Sequence, residues 1–377
     1  MDFGSGDWKW RIDVKMDSSL REEASKMNPH FGINMQKEIA SQPGVWKTTL
    51  DGYFYEQEAQ IQFLAHAARK HILMTGCGTT YFLGLSAVAL FRKLGFQATA
   101  YPASEIVFFP DTLPSDDATL LAVSRSGATS ETLWAVDAFR KRYPTEKVIT
   151  ITTQPKSKLA EMSDFVFSAP AAQEAATAET RSFTSMFLLA QAMAGSLAGD
   201  RAFLGHLSAL PPGLENLLNR YSELPRQIAR DMGIQRFFFL GAGPLYGLAC
   251  EAMIKVKEIA CTWAEAYHPL EFRHGPMAVA NQETLVTGFI SDSAGEAEIR
   301  VLQDMHRLGA KTMAIIERAG DLDLSEMDVV VELSSGLNEW ERAALYLPLI
   351  QYLAYYLGIE NGLDPDRPNN LHPVTHL

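Results

Sequence analysis

Cysteine is scarce in this sequence, and positive charge is in deficit. The chain has three cysteines, Cys77, Cys250 and Cys261, which are too few and too scattered for a disulfide framework or a zinc site. Lysine and arginine together number 33 against 45 aspartates and glutamates, so the net charge is -12. No basic block is present to bind nucleic acid or an anionic membrane. Any anionic ligand must therefore be held by local geometry.

Long apolar runs are also missing. The first residues are polar and mixed in charge, without the apolar core of a signal peptide, and no stretch approaches the length that spans a bilayer. We therefore expect a soluble, cytoplasmic protein. No cofactor and no metal are expected, because His268 lies near Glu265 and Glu271 without a second ligand cluster at a recognised spacing.

Short apolar runs alternate with helical segments along the chain, which predicts an α/β fold of mainly parallel sheets flanked by helices. Its 377 residues favour two domains. The predicted strands are residues 71–75, 97–101, 119–123, 147–152 and 165–167, then 236–240, 284–290, 311–316 and 329–333. The predicted helices include residues 31–67, 183–197, 296–308 and 338–357.

The second series repeats the order of the first, because each begins with a strand and a glycine-rich turn, Gly76-Cys-Gly78 or Gly241-Ala-Gly243. This predicts an internal duplication with two tandem doubly wound domains. Residues 201–228, interrupted by three prolines, mark the boundary. We therefore predict a leader over residues 1–38, a first domain over 39–205 that binds the ligand, and a second over 206–377 that carries the chemistry.

The stretch Ser124–Thr132 follows a predicted strand and precedes a predicted helix. It holds five hydroxyl side chains and Gly127 within nine residues. Hydroxyls, a glycine and the free N–H groups of a helix N-terminus form a phosphate site, to which Arg125 adds a cation. The alternative is a helix cap made by Ser130. A second hydroxyl-bearing turn, Gly78-Thr79-Thr80, lies at the end of another strand, on the edge where α/β sheets bind ligands.

The second half carries the candidate chemistry. Glu251, Lys255 and Glu258 fall at i, i+4 and i+7 on one helix face, and apolar residues surround them, so we expect this stripe to be substantially buried. An ordinary surface ion pair is the alternative. His274 precedes Gly275-Pro276 on a loop, where a histidine can exchange protons near neutral pH or can simply be solvated.

Four motifs together resemble the double sugar isomerase (SIS) domain family, specifically the isomerase half of the glutamine:fructose-6-phosphate amidotransferases and the stand-alone amino-sugar-phosphate deaminase/isomerases. They are Gly76-Cys-Gly-Thr-Thr80, Ser124-Arg-Ser-Gly127 with Thr129, Lys255-Val-Lys-Glu258 and Glu271-Phe-Arg-His-Gly-Pro276. The resemblance implies a sugar phosphate ligand and a homodimer. It assigns the phosphate to Thr80, Ser124, Arg125, Ser126 and Thr129, and further substrate contacts to Gly78, Thr79 and Ser182.

The resemblance also implies catalytic roles. Glu258 matches the base that moves a proton between C1 and C2 of the open-chain sugar, and Lys255 lies where a lysine steadies the enediol-like intermediate. His274 matches the histidine that opens the sugar ring from the partner subunit. No nucleic acid or membrane partner is implied.

Three departures from the synthase pattern bear on function. The sequence begins Met1-Asp2 instead of with a nucleophilic cysteine, so we expect no glutaminase activity. The tail reads Asn370-Leu-His372, with no lysine beyond Lys311, although synthases carry a Schiff-base lysine there. Arg125 stands where synthases typically carry glutamine.

The first two departures favour a deaminase that converts an aldosamine 6-phosphate to a ketose 6-phosphate and ammonia. The alternatives are a fructosamine-6-phosphate deglycase, a plain aldose–ketose isomerase and a non-catalytic phosphosugar sensor. Retention of Glu258 and His274 speaks against the sensor.

Overall fold

Two parallel five-stranded sheets form the framework of the protein, which is described here from a computed structural model covering residues 31–55, 70–114, 117–231 and 233–372. The first sheet has the order β2-β1-β3-β4-β5 and the second the order β7-β6-β8-β9-β10. The strands are β1 His71–Gly76, β2 Ala98–Pro102, β3 Ala118–Val123, β4 Val148–Thr152, β5 Phe165–Ser168, β6 Arg236–Leu240, β7 Trp263–Tyr267, β8 Thr284–Phe289, β9 Lys311–Ile316 and β10 Val329–Glu332. Both sheets thus follow one topology, and the predicted α/β fold class is confirmed.

Helices connect the strands and flank the sheets. In the described residues they are α1 Ile33–Ala40, α2 Gln42–Tyr55, α3 Thr79–Lys93, α4 Ala103–Phe108, α5 Ser130–Arg142, α6 Lys158–Glu161, α7 Arg181–Ala198, α8 Arg201–Leu207, α9 Leu210–Arg220, α10 Leu224–Ala229, α11 Tyr246–Ala260, α12 Pro269–Phe272, α13 Gly295–Arg307 and α14 Pro348–Glu360. Short 3₁₀ turns occur at Pro110–Thr112, Pro170–Ala172, Gly243–Leu245, Pro276–Val279 and Ala343–Tyr346. None of the helices in these ranges has the length and apolar character needed to cross a membrane.

The predicted elements differ from the structure in three places. Strand β7 was not predicted, because it is a five-residue edge strand whose side chains are mostly half-exposed. The helix predicted over 338–357 is wrong at its start, since α14 begins at Pro348, whose missing N–H suits the first turn of a helix. Residues 31–55 form two helices instead of one, and residues 56–67 of that prediction lie outside the described ranges.

One continuous apolar core lies between the two sheets. In β1 the buried residues Ile72 and Met74 face this core, whereas Leu73 faces a smaller cluster on the outer side of the first sheet. In β6, Phe237 faces the shared core and Phe238 the outer cluster of the second sheet. Both halves therefore bury their inner faces together. The domain boundaries given above stay a prediction, and the leader lies largely outside the described residues.

Helix α11 of the second half packs directly on helix α3 of the first. The approach is closest at Gly247, where a Cβ atom would lie 2.3 Å from the carbonyl oxygen of Phe82 and 2.5 Å from Ser86 Oγ. Only glycine fits at this crossing. The packing places the charged stripe of α11 next to the start of α3, and so next to the carboxyl end of β1.

Candidate active site at the carboxyl edge of the first sheet

The strand order of the first sheet changes direction between β1 and β3. These two strands pair in parallel, with Thr75 opposite Ala122, and their connections leave on opposite sides. Ligands of open α/β sheets bind at such a switch point, outside the carboxyl ends of the strands. The two turns selected from the sequence, after Gly76 and after Val123, both lie there.

The Ser124 turn is built by its own hydroxyls. Ser124 Oγ accepts a hydrogen bond from the Gly127 N–H (3.1 Å), and Ser126 Oγ accepts one from the Ala128 N–H (3.2 Å). Gly127 has φ +61°, and a Cβ there would lie 2.0 Å from Ser157 Oγ, so the turn requires glycine. Helix α5 begins at Ser130, so its first N–H groups follow directly on this turn.

Ser130 is not the N-cap residue, as the alternative interpretation of this stretch had it. Helix α5 begins at Ser130, and its N-cap residue is Thr129, whose side chain makes no capping hydrogen bond. Ser126 and Thr129 are half-buried at the sheet edge, whereas Ser124 is buried within the turn. The hydroxyls of Ser126 and Thr129 are therefore the better placed of the three to contact a phosphate.

Arg125 ties the Ser124 turn to another segment. Its Nη1 donates to the carbonyl oxygen of Thr177 (2.8 Å) and lies 4.0 Å from Glu174 Oε2, and its side chain is 13% exposed. Both partners belong to residues 173–180, which connect the end of the first sheet to α7 and which we call the acidic loop. Arg125 thus makes structural contacts with the acidic loop, and its place beside a phosphate stays a prediction.

The turn after β1 has two threonines with different surroundings. Gly78 has φ +53° and precedes α3. The Thr80 hydroxyl accepts from the Cys77 N–H (2.9 Å) and donates to the Cys77 carbonyl (3.0 Å), so it shapes the turn. Thr79 Oγ1, in contrast, accepts a hydrogen bond from Lys255 Nζ of α11 (3.3 Å).

The charged stripe of α11 is buried, as its apolar surroundings predicted. Lys255 Nζ lies 2.7 Å from Glu258 Oε2 and 3.3 Å from Glu251 Oε1. The side chains of Glu251 and Lys255 are 0% and 1% exposed, whereas that of Glu258 is 20% exposed. The stripe is therefore not a surface ion pair, and Glu258 is its solvent-accessible end.

Burial raises the pKa of Glu251 to about 8, although the charge of Lys255 opposes this shift. Burial lowers the pKa of Lys255, but the charges of Glu251 and Glu258 raise it by more, and the net pKa lies above its ordinary value. Lys255 therefore stays a cation, held against the carboxylate of Glu258 at the edge of the sheet.

His274 lies away from these buried groups, on the exposed turn after α12, where its backbone N–H donates to the Glu271 carbonyl (3.0 Å). His268 stacks on Tyr246 with the ring centroids 3.9 Å apart, and burial lowers its pKa. In the described parts of the chain, no group of three histidine, cysteine, aspartate or glutamate side chains is arranged to hold a metal ion.

The acidic loop supplies two residues that sequence reasoning did not assign, Glu174 and Glu179. Glu174 accepts hydrogen bonds from the Thr180 N–H (2.7 Å), the Thr180 hydroxyl (2.6 Å) and the Ser182 N–H (3.3 Å), which fixes the start of α7. The fully buried Ser182 donates its hydroxyl to Glu174 and to Glu179 Oε2 (3.4 Å). The sequence feature that could have identified them is a pair of glutamates in an alanine-rich segment that follows a predicted strand.

In the second sheet, side chains of the protein itself occupy the turn that corresponds to the Ser124 turn. It follows β8, and there a carboxylate oxygen of Glu339 accepts from the N–H groups of Asp292 (2.7 Å) and Ser293 (3.1 Å). The buried Arg342 in turn donates to both carboxylate oxygens of Asp292, at 2.7 and 2.6 Å. An internal carboxylate thus occupies the N–H groups that a phosphate would need, so the two halves are not equivalent.

A surface hollow of about 460 Å³ lies beside the acidic loop. Lys37, Glu38, Glu174 and Arg181 contribute its charges, with neither Glu258 nor the Ser124 turn among its lining residues. Arg181 is already bonded to Ser41 Oγ (3.0 Å) and to the Gln173 carbonyl. The hollow is therefore separate from the candidate active site.

Known proteins match both the sequence and this geometry. The family model for the SIS domain matches residues 66–196. Glutamine–fructose-6-phosphate aminotransferase (isomerizing) of Pyrobaculum aerophilum is 31% identical over 355 residues, which are 91% of this chain and 57% of that protein. The namesake of Caldanaerobacter subterraneus is 25% identical over 98% of this chain and 62% of its own length. The chain thus spans about three-fifths of these relatives.

Two solved structures match nearly end to end. Glucosamine-6-phosphate deaminase of Thermotoga maritima is 27% identical, with a TM-score of 0.75 over 91% of this chain and 100% of that one. Tagatose-6-phosphate ketose/aldose isomerase of Escherichia coli is 26% identical, with a TM-score of 0.82 over 89% and 95%. Fold and sequence together define an α/β protein with two tandem SIS-like doubly wound domains. The chain belongs to the SIS domain family, which confirms the resemblance carried by its motifs.

Proposed function

We propose that the protein deaminates an aldosamine 6-phosphate, such as glucosamine or galactosamine 6-phosphate, by isomerising it to a ketose imine that water hydrolyses. The products are a ketose 6-phosphate and ammonia. The observation that carries the proposal is the 3.3 Å contact between Lys255 Nζ and Thr79 Oγ1. It joins the helix of the candidate base to the switch point where a phosphate is expected to bind.

The arrangement supports the chemistry step by step. The Ser124 turn and the N-terminus of α5 anchor the phosphate, whose remote binding energy orients C1 and C2 of the open-chain sugar. Glu258 removes the proton from C2 and returns it to C1. Lys255, 2.7 Å from Glu258, orients this carboxylate and offers a positive charge to the enediol-like intermediate. Water then adds to the C2 imine and ammonia leaves.

The deaminase reading has two supports beyond the shared fold. The Thermotoga maritima deaminase aligns over its full length with this chain. In addition, His372 follows Asn370-Leu371 where the synthase pattern has its Schiff-base lysine, and no lysine occurs after Lys311. Transfer chemistry through a lysine at that position is therefore disfavoured.

The test is to incubate the pure protein with glucosamine 6-phosphate or galactosamine 6-phosphate and to measure ammonia and ketose phosphate. Glu258→Gln should lower the rate by about 10²–10⁴-fold, the usual contribution of a general base. Glu296→Gln, an exposed carboxylate on α13, is the matched control and should keep full activity. Absence of ammonia with both sugars, or full activity in Glu258→Gln, would refute the assignment.

A plain aldose–ketose phosphosugar isomerase is the second candidate. It is favoured by the match to the tagatose-6-phosphate isomerase, whose TM-score of 0.82 exceeds that of the deaminase. The same base would act on a substrate without nitrogen. Interconversion of an aldose 6-phosphate and its ketose, in the absence of ammonia release from either amino sugar, would establish this alternative.

We further propose that the active site is completed in a homodimer, with His274 of each chain serving the site of the other. The exposed position of His274, on a turn of the second half, suits a group presented to a second chain. Glu258→Gln and His274→Asn should each be inactive. In an equal mixture that exchanges subunits, half of the dimers are hybrid and each regains one intact site. About a quarter of wild-type activity should therefore return, whereas no recovery would place His274 in its own subunit's site.

A further inference from the structure

The acidic loop is joined to the Ser124 turn and to the start of α7 by specific bonds. Arg125 donates to the Thr177 carbonyl (2.8 Å), and Glu174 binds the N–H and hydroxyl of Thr180 at the start of α7. Glu179 lies between these two anchors. Its Oε2 is 3.4 Å from Ser182 Oγ, and the residue is partly exposed. The loop therefore positions the carboxylate of Glu179, whereas the bonds of Arg125 and Glu174 are the ones that hold the loop.

Glu179 lies within the electrostatic range of both halves of the site. Its charge interacts favourably with Arg125 of the phosphate turn and with Lys255 of α11, and unfavourably with Glu174 and Glu258. Burial is the main cause that raises the pKa of Glu179. Together with the Arg125–Thr177 bond two residues earlier, this associates the Glu179 carboxylate with both the Ser124 turn and the charged stripe of α11.

The site has more negative than positive groups. Glu174, Glu179 and Glu258 are grouped around the cations Arg125 and Lys255. The fully buried Glu251 lies 3.3 Å from Lys255 Nζ, and burial raises its pKa to about 8, so it adds little negative charge near neutral pH. A sugar phosphate brings further negative charge. A positive group elsewhere on the same ligand would offset this excess.

We propose that Glu179 selects the substrate by binding the ammonium group at C2 of an aldosamine 6-phosphate. This inference rests on the proposed deaminase function and names the residue that recognises the nitrogen. A hydroxyl at C2 gains only a neutral hydrogen bond from this carboxylate, whereas an ammonium gains a charge-assisted one. Glu179 is therefore a specificity residue, distinct from the base Glu258.

Non-reacting ligands separate recognition from turnover. 2-Amino-2-deoxyglucitol 6-phosphate and glucitol 6-phosphate differ only at C2, and neither has a carbonyl group that permits isomerisation. Titration calorimetry with the full chain should show the wild type binding the amino ligand about tenfold more tightly or better. The corresponding galactitol pair allows for a protein that prefers the other C4 epimer.

Glu179→Gln should bring the preference for the amino ligand close to one, while the affinity for glucitol 6-phosphate stays unchanged or increases. Glu161→Gln, an exposed carboxylate on α6, should keep the wild-type preference. Circular dichroism and a second variant, Glu179→Ser, check that the result does not reflect misfolding.

If both Glu179 variants keep the preference for the amino ligand, or if the wild type shows no such preference, the inference is refuted while the proposed phosphosugar site is not. Failure of all four ligands to bind the wild type would instead refute the proposed function, and the inference with it.

Discussion

Lys255→Met tests whether the buried stripe of α11 is held together by charge. The ammonium of Lys255 is the cation shared by Glu251 and Glu258, at 3.3 and 2.7 Å, and its side chain is 1% exposed. Methionine keeps most of the side-chain volume and removes the charge. Glu251, which is fully buried, would then have no cation near it.

Removing one partner of a buried ion pair typically costs about 3–5 kcal/mol, because the other charge is left uncompensated. The variant can reduce this cost by protonating Glu251, whose pKa burial already raises from 4.5 to about 8 in the wild type. An acid with a raised folded-state pKa contributes stability below its unfolded-state pKa and loses it as the pH rises through the folded value. Since Lys255→Met raises that value further, its destabilisation should be larger at pH 9 than at pH 6.

Urea unfolding at both pH values measures this, with Lys257→Met, an exposed lysine two residues away, as the matched control. Adding Glu251→Gln to Lys255→Met should recover about 2 kcal/mol, because the uncompensated carboxylate is then gone. A cost below about 1 kcal/mol at both pH values, or strictly additive effects of the two substitutions, would show that the stripe is not electrostatically coupled.

Three further substitutions test the turns. Gly127→Ala should destabilise the protein by about 1–3 kcal/mol and weaken phosphosugar binding, because φ is +61° and the new Cβ would collide with Ser157. Calorimetry that finds an unchanged phosphosugar affinity would contradict this prediction. Arg125→Gln should weaken phosphosugar affinity, since it removes both a cation and the bond to Thr177. An unaltered affinity would show that Arg125 does not contribute to ligand binding. Glu339→Ala should lower the free energy of unfolding by about 1–3 kcal/mol, because it leaves the N–H groups of Asp292 and Ser293 without their acceptor. Inorganic phosphate should raise the melting temperature of this variant more than that of the wild type. An equal rise would contradict the role of Glu339 as an internal anion.

The elements that local sequence specifies were predicted closely. Strands β6 and β9 begin and end at the expected residues, and the burial of Lys255 followed from the apolar residues around it. Hydrophobic periodicity depends on neighbours in the chain, so it is readable from the chain alone. The start of α14 was misplaced, because residues 338–342 bind the turn after β8, far away in sequence.

The sequence by itself determined the α/β class, the duplication, the two hydroxyl-bearing turns and the spacing of Glu251, Lys255 and Glu258. Each depends on residue type and short-range order. Only the tertiary structure decided that Glu339 fills the turn at the second switch point. It also decided that Glu179 accepts a hydrogen bond from Ser182 and interacts with the charges of Arg125 and Lys255. Both results require contacts between segments distant in the chain, which no local pattern encodes.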